Sequence, residues 1–124
     1  MSTTHIDLGK KGEQLVAHYL KKDGFEILAM NYTRRCGEID IIARKNEVLA
    51  FVEVKVRSYA YFNISEVIVP AKQNKIIRTA LSYIAEQRFA EDMVYRFDVA
   101  LLEQKNHDFE VTYMPNAFTQ QSSW

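Results

Sequence analysis

Four charged residues recur at alternate positions on two neighbouring segments: Glu38 and Asp40 in Glu38–Ala43, Glu53 and Lys55 in Val48–Arg57. Successive side chains of a strand point to opposite faces, so residues two apart share one. In the second segment Val48, Ala50, Val52, Val54 and Val56 make an all-apolar face that must be buried. The other face reads Leu49, Phe51, Glu53, Lys55, Arg57, beginning apolar and ending in three charges. In the first segment Glu38, Asp40 and Ile42 share one face, and Ile39, Ile41 and Ala43 the other. The intervening Arg44-Lys45-Asn46-Glu47 is short and polar, which predicts a hairpin. A turn of two or four residues pairs even positions of the first strand with odd positions of the second. Asp40 then stands opposite Phe51 or Glu53, and Glu38, Asp40, Glu53 and Lys55 converge at the end of the hairpin away from its turn.

Carboxylates gathered in this way repel one another, and none is readily buried without a partner. A divalent cation resolves the conflict. Hard cations such as Mg²⁺ or Mn²⁺ take oxygen ligands, commonly a few carboxylates with water and substrate phosphates. The backbone carbonyl of Val54 is a further candidate oxygen. Lys55 would stand beside the attacking water, orienting it or helping to deprotonate it, and would steady the charge that develops on phosphorus. The competing interpretation is a solvated strand edge with paired charges. Against it, the other face of this strand is entirely β-branched or alanine, and its own face starts Leu-Phe, as in a central strand.

Two helices must support this hairpin. One is predicted from about Leu8 to Asp23, with Leu15, Val16, Tyr19 and Leu20 on its apolar stripe and Gly24 as its stop. Gly12 falls in the middle of that stripe. Glycine there weakens a helix by ~1 kcal/mol relative to alanine, which points to close approach of the helix to a sheet. Glu13 lies at the stripe's margin, either reaching the site or simply exposed. The second helix starts with Pro70 in its first turn and continues to about Gln87, with Ile76, Ile77, Ala80, Leu81 and Ile84 inward. Gln73 projects onto this apolar face. Its amide needs partners, in the site, on a phosphate or on nearby backbone. Lys72, Lys75 and Arg78 are candidate phosphate contacts, with a solvated helix face as the alternative.

Further strands are expected at Phe25 to Met30, Val94 to Glu103 and Phe109 to Met114, with a weaker extended piece near Val67 to Val69. The order α-β-β-β-α-β-β implies an α/β domain, a mixed sheet covered by helices. Arg96 and Asp98 alternate on one strand and are expected to pair structurally. Tyr59, Tyr61 and Phe62, in the loop after the charged strand, are candidates to touch an unstacked base.

The 124 residues suit one domain, with about 119–124 as a tail. One cysteine, Cys36, excludes an internal disulfide framework, and three scattered histidines show no zinc spacing. No apolar run approaches the ~20 residues that span a bilayer, and Met1 to His5 shows no signal-peptide pattern. A cytoplasmic protein with no membrane role is expected. Formal net charge is zero, where nucleic-acid binders usually carry a basic excess, although a carboxylate cluster subtracts from any such excess.

Gly37-Glu38-Ile39-Asp40-Ile41-Ile42-Ala43 followed by Phe51-Val52-Glu53-Val54-Lys55-Val56-Arg57 resembles the Asp…Glu-X-Lys signature of restriction-endonuclease-like nucleases and Holliday-junction resolvases. Gly9-Lys10-Lys11-Gly12-Glu13, Pro70-Ala71-Lys72-Gln73, Arg96-Phe97-Asp98-Val99 and Asn116-Ala117-Phe118 together resemble the YraN-like bacterial family over nearly the whole chain. The resemblance implies a restriction-endonuclease-like mixed β-sheet flanked by helices. It makes Asp40 and Glu53 metal ligands, Lys55 the catalytic lysine, Glu13 a helix-borne acidic contributor and Gln73 a site-facing helix residue. Three departures stand out: Ile39 where proline is common, Cys36 in place of a second glycine, and a Tyr61–Glu66 stretch without Gly or Pro.

The expected function is a Mg²⁺- or Mn²⁺-dependent endonuclease hydrolysing phosphodiester bonds in DNA, including branched or recombining forms. Asp40, Glu53 and Lys55 are its catalytic residues. Asp40, Glu53, the Val54 carbonyl, Glu38 and Glu13 are the metal-binding set, and Gln73, Arg57, Lys72 and Lys75 the substrate contacts. A homodimer would serve an enzyme acting on two strands, though no interface is legible. The alternatives are a non-catalytic nucleic-acid-binding or adaptor protein on a nuclease scaffold, and an interaction protein whose carboxylates merely pair with Lys55 and Arg57.

Overall fold

Alternation along Val48–Arg57 dictates a strand with two apolar faces at its start, and such a strand belongs in the middle of a sheet. The computed structural model, which describes residues 5–57, 68–89 and 92–119, puts it there. Five strands run β1 (Glu26–Arg34), β2 (Gly37–Lys45), β3 (Val48–Arg57), β4 (Val94–Lys105) and β5 (Asp108–Phe118), side by side in that order. β1–β2, β2–β3 and β4–β5 are antiparallel, whereas β3 and β4 are parallel. A parallel pair needs a long crossover, and its helix is α2 (Pro70–Gln87). With α1 (His5–Lys22) ahead of the sheet, the element order is α-β-β-β-α-β-β, the α/β arrangement expected.

The helices cover opposite faces of the sheet. Ile76, Ile77, Ala80 and Tyr83 of α2 pack on Tyr32, Ile39, Ile42, Leu49, Phe51, Phe97, Val99 and Leu101. Val16, Ala17 and Leu20 of α1 pack on Ile41, Ala43, Ala50, Val52, Ala100 and Leu102. The sheet face under α1 is rich in alanine, which lets the helix sit close. Gly12 faces this layer: a Cβ built there would stand 2.7 Å from Val56 Cγ2. The close approach expected from a glycine in the stripe is therefore observed.

The expected stripes need correction. Leu15 and Tyr19 are 37% and 45% exposed, while Ala17 is buried with Val16 and Leu20. Tyr19 stacks instead on Tyr113 of β5, ring centres 5.6 Å apart, so the outer part of the stripe lies over the sheet's edge. On α2, Leu81 is half exposed, and Thr79 and Tyr83 are buried in its place. The Thr79 hydroxyl donates to the Lys75 carbonyl at 2.7 Å, which makes its burial tolerable. A helix face judged by apolar type alone misses a threonine that satisfies itself.

The strand limits were also short. β1 runs past Met30 to Arg34, and β5 past Met114 to Phe118. In β5 the chain bulges at Pro115-Asn116-Ala117, opposite Asp98, before pairing resumes at Phe97 with Phe118. The β2–β3 turn narrows to Asn46-Glu47, with Asn46 at φ 55°, a left-handed geometry asparagine tolerates. Pro70 opens α2 as expected, after an extended Val69, and α2 ends on Arg88 in the left-handed region. Val67, Tyr59, Tyr61, Phe62 and the tail beyond Thr119 lie outside the described residues.

Candidate metal centre

The two-residue turn fixes the register Lys45↔Val48, Ala43↔Ala50, Ile41↔Val52, and there the β2–β3 ladder ends. Continued, it would bring Asp40 to the level of Glu53 and Ile39 opposite Val54. Instead, the Asp40 carboxylate accepts the Val54 N–H at 2.8 Å, in the position a neighbouring strand would fill. The two strands part at this point. In a strand, the N–H and C=O of one residue point to the same side. The Val54 carbonyl is therefore directed into the same gap.

β2 breaks its alternation here. Ile41 and Ala43 face α1, but Ile39 faces α2 beside Ile42. The expectation that Ile39, Ile41 and Ala43 share a face is thus corrected. The cause lies in the neighbouring strand. Register places Asn31 across from Asp40, and Asn31 takes φ 52°. One left-handed residue turns the chain, so Met30 and Asn31 line a groove with α1 while Tyr32 enters the α2 core. Both strands skip a beat at one level, which leaves Asp40 in the plane of the sheet rather than on either face.

Asp40 therefore meets charge from both sides. Burial first, and then the Glu53 carboxylate, push its carboxyl up to about 8, with Glu13 and Glu38 adding to the rise and the Val54 N–H opposing it. Burial likewise raises Glu13, against polar contacts from Asn31 and Asp40, with Glu38 and Glu53 raising it further. Asp40 is not turned away from Glu53, whose carboxylate is the second cause of its rise. Glu53 lies on the α2 face, where Lys72 Nζ reaches Glu53 Oε1 at 2.7 Å. Lys55 and Arg57 follow on the same face of β3, both half-buried. Glu38 is exposed near the start of β2.

The cluster is looser than the sequence suggested. Among the described residues, no three His, Cys, Asp or Glu side chains converge closely enough to hold a metal ion by themselves. The donor set still fits a hard divalent cation. Mg²⁺ is ordinarily held by one or two carboxylates with waters and substrate phosphates, and Asp40, Glu53 and the Val54 carbonyl offer two carboxylates and a neutral oxygen about one gap.

The remaining expected residues fall outside this pair. Gln73 donates its amide N–H to the Ile68 carbonyl at 3.2 Å, the local backbone anchor among the partners considered for it. Lys75 is exposed. Lys72 is part-exposed but engaged by Glu53, a contact not legible in the sequence because it joins β3 to a helix nearly twenty positions on. Asp98 is fully buried, with Arg96 Nε and Nη2 at 2.9 Å, Tyr113 Oη at 2.5 Å and Asn116 N at 2.8 Å. Every one of its neighbours is a donor, so the Arg–Asp pair is structural, as expected. Cys36 Sγ lies 3.5 Å from Thr79 Oγ1, against α2.

No described helix is long and apolar enough to cross a membrane. The model of the uncharacterised protein family UPF0102 matches residues 12–102. A UPF0102 protein of Alkaliphilus oremlandii (strain OhILAs) is 43% identical over 113 residues, covering 90% of this chain and 97% of its own. One from Clostridium botulinum (strain Loch Maree / Type A3) is 41% identical over 115 residues, covering 90% and 94%. The matched span runs from the α1 glycine that touches the sheet to the core of β4, and takes in every residue of the strand gap. The chain belongs to family UPF0102, the YraN-like group that its motifs resemble.

Proposed function

We propose that this protein is a Mg²⁺- or Mn²⁺-dependent endonuclease that hydrolyses phosphodiester bonds in DNA, with branched or recombining forms as the favoured substrates. The observation that carries the proposal is the position of Asp40. A carboxylate buried in the gap between two parting strands, beside a second carboxylate and a carbonyl oxygen, is a costly arrangement unless a cation joins it.

Asp40, Glu53 and the Val54 carbonyl hold that cation, with Glu13 and Glu38 contributing negative potential. Bound there, a divalent cation supplies Lewis-acid polarisation of a phosphoryl oxygen and makes water more acidic. Lys55, two residues beyond Glu53 on the same face, orients the attacking water and stabilises charge developing on phosphorus. Arg57 and Lys75 meet flanking phosphates, which fixes the scissile bond against the gap. Gln73 holds the entry to α2 through Ile68.

The test is cleavage of a panel of linear, nicked and four-way-junction DNA in Mg²⁺ and Mn²⁺. Asp40→Ala, Glu53→Ala and Lys55→Ala each abolish metal-dependent cleavage while far-ultraviolet circular dichroism stays native. Cleavage that survives in all three refutes the proposal. The zero net charge favours a second reading, a nucleic-acid-binding adaptor on a nuclease scaffold. That reading predicts salt-sensitive gel shifts with no turnover in either metal.

A further inference from the structure

Lys72 stands where a lysine has little reason to be. It lies in the first turn of α2, where the positive end of the helix dipole favours anions. Its Nζ is 2.7 Å from Glu53 Oε1, and the Glu53 side chain is only 10% exposed while that of Lys72 is 39% exposed. Among the described residues it is the one cation within salt-bridge distance of Glu13, Glu38, Asp40 or Glu53. Asp40 Oδ2 lies 2.8 Å from the Val54 N–H, one residue beyond Glu53, so the ion pair sits at the same strand gap.

From this geometry we propose that Lys72 is a tethered counter-ion, occupying the divalent cation's place beside Glu53 and leaving it as that cation enters. The inference rests on the cation-site reading given above. A carboxylate oxygen already in a short charge-assisted hydrogen bond is not available to a second cation at full strength. The lysine side chain is a flexible four-carbon stem, so exchange needs no movement of α2. Displaced, the ammonium remains at the mouth of the site, where a phosphodiester would arrive. Lys72 thereby couples the two arrivals: the cation frees it, and the substrate phosphate gives it a new partner.

Mn²⁺ binding to the full chain without DNA, measured by calorimetry, tests this. Replacing Lys72 by methionine removes the competitor and tightens Mn²⁺ binding, by up to roughly fivefold. Lys72→Arg keeps the charge and stays close to the wild type. Equal or weaker binding by Lys72→Met overturns this inference and leaves the cation site standing. No Mn²⁺ uptake by either wild type or Lys72→Met overturns both. The wild-type protein offers an independent check, free of any folding defect in a variant. With ¹⁵N-labelled lysine, the Lys72 ammonium resonance shifts as Mg²⁺ saturates the protein, and a resonance that does not move contradicts the displacement.

Discussion

Asp40 is held in a place that suits its protonated form better than its ionised one. Its carboxyl is raised from an ordinary 3.8 to about 8 by burial and by Glu53. Between those values this carboxyl binds a proton in the folded protein but not in the unfolded chain, so the stability it contributes is fully present below pH 4 and is lost as pH rises towards 8. Asp40→Asn keeps an oxygen for the Val54 N–H and removes the charge. In metal-free buffer this variant is more stable than wild type at pH 8–9, on the order of 2 kcal/mol, and the advantage shrinks towards pH 4. Urea unfolding across that range measures it, and a constant difference contradicts the origin assigned here. Of the residues in the gap, Asp40, Glu53 and Lys55 were legible in the sequence because a period of two and an even turn place them together. The Lys72 contact was not legible, since only the packing of α2 decides which lysine of its first turns reaches β3.

At the scale of elements, local pattern and tertiary context divide the work unequally. β3 was legible to the residue, because its apolar alternation and polar turn fix both ends. The face of Ile39 was not, because the deciding residue is on another strand: Asn31, left-handed, shifts both partners at once. Neither Asn31 nor Asp40 announces this alone. Gly12 shows the converse, a local cost that does signal a tertiary contact. Gly12→Ala gains ~1 kcal/mol of helix propensity but drives a Cβ to 2.7 Å from Val56 Cγ2, on a stiff β-branched side chain. Overpacking of this kind costs about 1–3 kcal/mol, so the variant is destabilised on balance. Val56→Ala in the same chain relieves the clash and recovers part of the loss, a coupling that a double-mutant cycle in urea detects. At the far side of the sheet, the β5 bulge is built round Asp98, which accepts from Arg96, Tyr113 and Asn116. Asp98→Ala leaves the half-buried Arg96 and Tyr113 and the Asn116 N–H without their acceptor and costs about 1–3 kcal/mol. An unchanged urea midpoint would remove Asp98 from that role.

Across the whole molecule, the element order was enough to specify α/β layers and a mixed sheet, because only one connection, β3 to β4, is long enough for a parallel crossover. The sequential strand order follows from hairpins on both sides of that crossover. What the order of elements could not give is the reach of one helix to a distant strand. At the open end of α2, Arg34 and Tyr32 clasp Glu86 with contacts of 2.8–2.9 Å, joining β1 to the helix that carries Lys72. These layers position a single gap between β2 and β3, with α1 supplying Glu13 on one side and α2 supplying Lys72 on the other. Phosphodiester hydrolysis by this chain requires that the gap hold a divalent cation. The most direct measurement is anomalous scattering from crystals of the protein grown with Mn²⁺. A peak bounded by the carboxylates of Asp40 and Glu53 and the carbonyl of Val54 is the predicted result. Saturating Mn²⁺ with no peak in the gap would contradict the account.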